Sequence, residues 1–318
     1  MRARTAWVLA GLAVPSLAAG WWWGVRDPAA VAVLPVGLLA FPGLAARLQG
    51  AARVEIERGA HVLAIVHANG VWGVAEKGGY PVLVDRLRAL LTGLVELRLV
   101  EPRTSDPRFY QRLGVGDPRN PDGTAMGVRV LDAGGQVLAN LIVGTVRSEA
   151  TGGGEVFVRK PDAAQSWLAA GQLTVSADPE TWLDRRVLDV AKGHVLDVLV
   201  QRAGAVVELA REAGKPVLRQ PAEHAAVDAF RAEETLGALA GLQFTDVERG
   251  PAPGDVVATS RYTLAGGEAV MVTVHQTGWV TIAASGAEAA RVGGWAYRFA
   301  GWKTRALAPG LADLVGAP

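Results

Sequence analysis

Histidine is the residue type in this sequence with the widest chemistry, and the spacing of its five copies does not suggest a metal site. His61 and His67 lie six residues apart in a predicted strand, so they share a face but sit far apart along it. His194, His224 and His275 are separated by longer intervals. No pair has the His-Glu-x-x-His spacing that places two imidazoles on one side of a helix. We therefore expect neither a metal nor a cofactor.

Nucleophiles and acid–base pairs are equally hard to assemble from the sequence. It has no cysteine, which excludes disulfides and thiolate catalysis, and no Gly-x-Ser-x-Gly elbow of the hydrolase kind. Ser166 stands beside a tryptophan, a setting more typical of a packed turn than of a nucleophile. Asp184 is followed by two arginines, which favours an exposed ionic cluster over a catalytic carboxylate. The sequence therefore predicts a protein that is not an enzyme.

Aromatic side chains offer a different kind of chemistry, which is binding through apolar contact. Trp72, Tyr80, Trp167 and Trp182 are the candidates for a partner or ligand surface. A concave sheet face lined by such residues can hold a ligand. Packing in the core is the competing interpretation for most of them, because spacing alone does not separate the two roles.

The composition describes a chain with ample material for a core and no preference for nucleic acid. Half of the 318 residues are hydrophobic, and 32 basic residues face 31 acidic ones for a formal net charge of +1. No basic run interleaved with aromatics is present, as nucleic-acid binding would favour. We expect no nucleic-acid partner.

The N-terminus predicts a membrane anchor over residues 1–25. Arg2 and Arg4 precede an apolar run from Ala6 to Val25, which is just long enough to span a bilayer as a helix. Basic residues before the run predict a cytoplasmic N-terminus, and three tryptophans from Trp21 suit the far membrane interface. Residues 26–318 would then lie in the periplasm of a single-pass inner-membrane protein. A cleaved signal peptide, with its site near residues 16–20, is the alternative.

Residues 26–50 are predicted to be a linker. Their apolar stretch, Ala29 to Ala46, contains Pro35 and Pro42 and is a poor spanning helix. We expect it to pack on the membrane surface or on the domain. A second membrane span, which would return the domain to the cytoplasm, is the alternative.

From Arg53 onward the pattern is strand-rich. Alternating runs flank Ala68-Asn69-Gly70, a strong hairpin signal. Pro81 is expected to start a helix whose apolar residues recur at three- and four-residue spacing up to Leu97. A strand at 97–100 and a meander follow. Asp178 and Pro179 predict a capped short helix.

The sequence pattern of the second half repeats this plan. A hairpin at 194–210 precedes a helix predicted over Glu223 to Leu242, with Val227, Phe230, Leu236 and Leu239 facing in, and then another meander. The turns Asp132-Ala-Gly-Gly-Gln136 and Leu264-Ala-Gly-Gly-Glu268 nearly match. We predict an α+β fold of two tandem similar units, 51–188 and 189–318. Each would have a mainly antiparallel sheet with one packed helix, and a transmembrane helix would precede them.

An ordered series of short segments resembles a bacterial family called domain of unknown function 4340. The segments follow one another along most of the chain after residue 40: Phe41–Leu44, Val71–Val74, Gly79–Pro81, Val100–Pro107 with Tyr110, Leu113 and Gly114, Leu141–Gly144, Val156–Arg159, Gln165–Leu168 and Thr181–Arg185.

That resemblance implies a membrane-anchored, extracytoplasmic protein with an accessory role in a gliding-motility-type ABC transporter or other cell-envelope system. It brings no catalytic residues. The functional hypothesis is a non-catalytic accessory subunit that binds the membrane through its N-terminal helix and an ABC-type or other envelope protein through its domain. The alternative is a periplasmic ligand-binding module with a site between the two units. A hydrolase is the third class considered, and it lacks a readable constellation.

Overall fold

The computed structural model describes residues 37–148 and 154–315. The predicted anchor and the first part of the predicted linker lie outside these residues. Among the described residues, no helix is long and apolar enough to cross a bilayer.

Twenty strands make up most of the regular secondary structure in the described residues. Those up to residue 170 are β1 (Leu38–Leu39), β2 (Ala51–Arg58), β3 (His61–Ala68), β4 (Val71–Val74), β5 (Tyr80–Pro81), β6 (Arg98–Pro102), β7 (Met126–Asp132), β8 (Val137–Ser148), β9 (Gly154–Arg159) and β10 (Ser166–Ala170). Those that follow are β11 (Arg186–Leu188), β12 (Val195–Arg202), β13 (Ala205–Glu212), β14 (Lys215–Gln220), β15 (Leu242–Gln243), β16 (Asp246–Arg249), β17 (Val256–Leu264), β18 (Ala269–His275), β19 (Trp279–Ala284) and β20 (Trp295–Arg298).

The helices are few and mostly short. The α-helices are α1 (Leu44–Arg47), α2 (Val84–Glu96), α3 (Tyr110–Leu113), α4 (Ala229–Leu236), α5 (Ala289–Val292), α6 (Gly301–Leu307) and α7 (Leu311–Leu314). Single 3-10 turns occupy Leu48–Gly50, Ala75–Lys77, Pro107–Phe109, Pro179–Trp182, Lys192–His194 and Gly286–Glu288. The fold is therefore sheet-rich and of the α+β kind.

Two large antiparallel sheets and one small sheet contain these strands. The first has ten strands in the order β1-β6-β10-β9-β8-β7-β2-β3-β4-β5. The second has eight strands in the order β14-β13-β12-β17-β18-β19-β20-β16, and β11 pairs with β15 separately. Eight adjacent strands of the first sheet, in the order β6-β10-β9-β8-β7-β2-β3-β4, match the second sheet read from β16 to β14. Each strand of the second sheet carries a number ten higher than its counterpart.

One of the register irregularities falls at the same place in the two sheets. β2 shifts against β7 between Ala51 and Arg53, and β12 shifts against β17 between Val195 and Asp197. Such a bulge adds a residue on one strand and bends it. The two large sheets therefore share a bulge at the start of β2 and of β12.

Alternation explains how the strands bury one face. In β2, Val54 and Ile56 are fully buried while Glu55 between them lies on the outer face. The β3–β4 turn is a hairpin in which Asn69 and Gly70 have φ of 52° and 79°, the left-handed values that a two-residue primed turn requires. Most of the buried apolar side chains of both large sheets belong to one contiguous core.

The first major helix begins later than the sequence predicts. Pro81 lies in β5, where it pairs with Gly73, and α2 starts at Val84. Leu87, Leu90 and Leu94 form its buried stripe. Pro81 is tolerated in this strand because β5 is a two-residue edge strand.

The helix of the second half is shorter than predicted. Asp228 caps it by accepting hydrogen bonds from the backbone N–H groups of Phe230 and Arg231, so α4 spans only Ala229–Leu236. Phe230 does not face the core and is 75% exposed. The buried stripe of α4 runs through Ala232 and Leu236. Phe230 lies two residues before Ala232, so its side chain points to a different side of the helix.

Residues 37–50 belong to the folded domain. β1 pairs with β6, and Phe41 and Leu44 are buried in the core. On the opposite, outer face of the first sheet, residues 103–125 cross over and form a small second cluster around Tyr110 and Val115.

Candidate functional site

An apolar groove lies between α1 and α2 on the first sheet's helical side. We call it the helix groove. It has a volume of about 330 Å³, and its lining is almost entirely apolar: Ala45, Leu48, Trp72, Val84, Leu87, Arg88, Leu91, Thr92 and Val95. The α2 residues of this set recur at three- and four-residue spacing, so they lie on one side of the helix.

The floor of the helix groove is tied to the core. Leu87 is 3% exposed, and Leu48, Trp72, Leu91 and Val95 are partly buried against the core. Val84 at the beginning of α2 is 57% exposed. The groove therefore presents recessed apolar surface to solvent at a place that the rest of the described chain does not cover.

Trp72 is the predicted aromatic residue that reaches this surface. It lies in β4 opposite His67 of β3, and the two rings stack with centroids 5.0 Å apart. The hairpin thus holds the indole against one side of the groove. Cross-strand stacking fixes its position before any partner arrives.

Trp167 and Trp182 lie in the core and offer no surface to a partner. Trp167 in β10 is 7% exposed. Trp182 is completely buried, donates its indole N–H to the Ser176 carbonyl oxygen at 2.8 Å, and packs beneath the Arg86 guanidinium. Their large apolar rings are best removed from water by the core.

Tyr80 lies at the contact between the two large sheets. Its ring packs edge-on against Phe244, Trp295 and Tyr297, and we call these four residues the tyrosine junction. Tyr80 is 4% exposed. The structure therefore does not bring the four candidate aromatic residues together. Trp72 lies in the helix groove and Tyr80 at the sheet–sheet contact, whereas Trp167 lies in a buried strand and Trp182 in a buried turn.

The two hydroxyl groups of the tyrosine junction are unusual. Burial raises the pKa of Tyr80 to about 12, while the neighbouring Tyr297 hydroxyl acts in the opposite direction. Burial also raises the pKa of Tyr297, and the Tyr80 hydroxyl adds to that rise. Tyr297 Oη is buried without a hydrogen bond of normal geometry to any described residue. An unpaired buried hydroxyl lowers stability.

Charged contacts close the sheet–sheet joint around this junction. Lys77 Nζ lies 2.6 Å from Asp246 Oδ1, and the Arg249 guanidinium stacks over the Trp295 ring. Gly78 packs so closely that a Cβ there would lie 2.6 Å from the Arg249 Cβ. This glycine is needed both for that approach and for its φ of 65°.

A charged cleft of about 390 Å³ occupies the outer face of the first sheet. Glu55 accepts hydrogen bonds there from Arg53 and Arg129, and Arg119 pairs with Glu57 at 2.9 Å. Burial alone would raise the pKa of Glu55, but the hydrogen bonds from the two arginines outweigh it and hold the pKa below its usual range. Because these arginines and glutamates pair with one another, none of the five is left free to bind a charged ligand.

Side chains considered for catalysis have structural roles where they are described. Ser166 is buried in β10 rather than in a turn, and its hydroxyl donates to the Thr104 carbonyl oxygen at 2.7 Å. Asp184 lies 3.7 Å from Arg186 and 3.5 Å from Arg291, as an ionic cluster would. Among residues 37–148 and 154–315, no group of three or more metal-ligating side chains converges.

Sequence reasoning missed the groove although its signal was present. The apolar positions of α2 are too many for one buried stripe, because Val84, Leu91 and Val95 form a second row beside Leu87 and Leu94. A helix with two adjacent apolar rows needs a second surface to cover it. Only the fold could show that α1 supplies part of that cover.

The profile of a family described as "Domain of unknown function (DUF4340)" matches residues 72–265. No curated protein and no solved structure matches the chain.

Proposed function

We propose that this chain, which belongs to the DUF4340 family, is a non-catalytic accessory subunit of an ABC-type transport or cell-envelope complex. It would be anchored in the bacterial inner membrane by residues 1–25, with its domain in the periplasm. The observation that carries the proposal is the helix groove.

The helix groove supports a binding role because exposed apolar surface is unfavourable in water. Each Å² of apolar surface left in water costs about 25 cal/mol. Contiguous recessed apolar surface is typical of interaction sites, whereas single exposed apolar residues are ordinary. Trp72 at its side is a residue type enriched where partners bind most tightly.

We also propose that the domain is built from two tandem units that share one plan. The matched strand order and the matched bulges in β2 and β12 support it. So does the position of the near-identical turns: Asp132–Gln136 joins β7 to β8, and Leu264–Glu268 joins β17 to β18, which are the first and second strands beyond β2 and β12. Superposing β2–β4 with β7–β10 on β12–β14 with β17–β20 tests this, and a mismatch in strand direction would refute it.

The topology can be tested with reporter fusions. The Arg-first apolar run supports an anchor with its N-terminus in the cytoplasm. A reporter that works only outside the cytoplasm, fused after residue 60, is expected to be active. Activity of a cytoplasm-only reporter at the same place would contradict the proposed topology.

The subunit role can be tested by isolating the full chain from membranes. We expect a mild-detergent purification to recover an ABC-type permease or ATPase with it. A matched chain with Leu91→Arg in the helix groove should recover less. Recovery of the chain alone, at the same yield from both versions, would contradict the subunit role.

A second candidate function is ligand binding between the two units. The observation that favours it is the buried Tyr297 hydroxyl, which has no hydrogen bond of normal geometry to a described residue. A polar ligand that entered the sheet–sheet joint would supply one. Purified protein whose melting temperature rises with a small molecule, and no longer rises after Tyr297→Phe, would favour this candidate.

A further inference from the structure

We infer that the helix groove receives an amphipathic helix from a partner protein, and that this helix carries a carboxylate beside its apolar face. The inference rests on the proposed function and specifies which surface of the subunit binds and what binds there. Four observations carry it.

The first observation is that the fold does not require an apolar groove at this place. His67 and Trp72 form the pair next to the end of the β3–β4 hairpin, and Arg211 and Pro216 hold the same place in the β13–β14 hairpin. There Arg211 reaches α4 and pairs bidentately with Glu233, with N–O distances of 2.8 and 3.0 Å. An ionic contact therefore closes the hairpin–helix gap in the second sheet, while the first sheet leaves an open apolar one.

The second observation is the shape of the groove. Its α2 row runs from Val84 to Val95, which is about 16 Å at the rise of an α-helix. Its floor is recessed, since Leu87 is almost wholly buried. A convex ridge of about three helical turns fits such a trough. A flat bilayer surface does not reach the floor, and a second copy of the same concave groove does not fill it.

The third observation is the charge along the groove. Arg88 is the one charged residue of the lining, and its side chain is 68% exposed. Arg88 has a partner only in Asp85 of its own helix, which is itself 95% exposed. A carboxylate on the incoming helix would meet this cation.

The fourth observation concerns the chain's own apolar stretch before Gly37. Pro28 and Pro35 interrupt it. Proline inside a helix removes a backbone donor and clashes with the preceding turn, so this stretch is unsuited to a continuous three-turn ridge. Gly37 itself is held at the strand edge, where its N–H donates to the Leu99 carbonyl oxygen of β6. The occupant is therefore assigned to another protein.

The test uses photo-crosslinking in the full chain, in the membranes of the cell that makes it. A benzophenone amino acid replaces Thr92, which lines the groove and is exposed, and in a matched control it replaces Thr277, which is exposed elsewhere. We expect adducts at Thr92 only, to a segment of another protein with apolar residues at helical spacing and an Asp or Glu beside them.

Two variants then probe the contact. Leu91→Arg should lower the Thr92 adduct about tenfold, whereas Leu91→Met should leave it unchanged. If Leu91→Arg lowers the melting temperature, the exposed Arg88→Glu replaces it, because reversing that charge should weaken the adduct while the fold is kept.

The results against the inference are equally defined. Adducts to lipid, to residues 1–36, to a second copy or to a non-helical segment would overturn it, as would equal yields at Thr92 and Thr277. If these results accompany co-purification of a transporter subunit, the groove assignment fails and the proposed function stands. If co-purification also fails, the proposed function falls with it.

Discussion

The Lys77 ammonium group lies 2.6 Å from Asp246 Oδ1 and joins the loop after β4 to the edge strand β16 of the second sheet. Both side chains are partly exposed, so this ion pair contributes about 1 kcal/mol or less. The apolar tyrosine junction beside it and the close approach of Gly78 to Arg249 hold the joint more strongly.

Gly78→Ala should destabilise the protein by about 2–3 kcal/mol. The new Cβ would lie 2.6 Å from the Arg249 Cβ, and the residue would have to keep a φ of 65°. Urea unfolding of purified protein measures the change. Gly50→Ala is the control, because no atom lies within 4 Å of its Cβ position, and it should be close to neutral. Equal losses would show that the joint is looser than described.

Trp182→Ala should cost about 3–5 kcal/mol, and Trp72→Ala clearly less. Trp182 is fully buried and hydrogen-bonded, whereas Trp72 already borders solvent in the helix groove. In contrast to its small effect on stability, Trp72→Ala is expected to reduce the amount of partner recovered from membranes, while the protein stays folded. Similar stability losses for both variants would mean that Trp72 is an ordinary core residue.

Stability should fall on the alkaline side between about pH 10 and pH 12. In the unfolded chain Tyr80 ionises near pH 10, but burial raises its pKa to about 12 in the folded protein. Above pH 10 the unfolded state therefore loses a proton that the folded state keeps, which favours unfolding by up to about 3 kcal/mol. Tyr80→Phe should flatten the slope of unfolding free energy against pH, and an unchanged slope would contradict this assignment.

Tyr297→Phe should raise stability by about 1 kcal/mol at neutral pH. The substitution removes a buried hydroxyl that lacks a hydrogen bond and keeps the ring that packs against Tyr80 and Phe244. Tyr262→Phe is the matched control, because that hydroxyl donates to the Leu307 carbonyl oxygen at 2.8 Å and its loss should destabilise. A loss of stability in both variants would show that Tyr297 has a partner.

Local sequence patterns predicted much of the fold. The alternation around Val54 and Ile56 and the Asn69-Gly70 turn both correspond to what is observed. The Asp178 cap is also confirmed, since its carboxylate accepts from the Glu180 N–H. These features depend on residues close in sequence, where propensity and turn geometry decide the outcome.

Features that depend on distant contacts were not readable in the same way. Pro81 has the same local signature at a helix start as in an edge strand, and only its pairing with Gly73 decides between them. Whether a tryptophan is buried depends on what crosses over it, so Trp167 and Trp72 could not be distinguished by spacing. The membership in the DUF4340 family, in contrast, was readable from the ordered segments and is confirmed by the match over residues 72–265.

The outer edge of the second sheet has a consequence for how copies of this protein behave when crowded. β14 ends the strand order there, and an edge strand can pair with the edge of another molecule and begin aggregation. In β14, Pro216 offers no N–H for such pairing, and Lys215 and Arg219 place charge along the strand. The edge therefore resists strand-to-strand self-association, which keeps neighbouring copies separate at high local concentration.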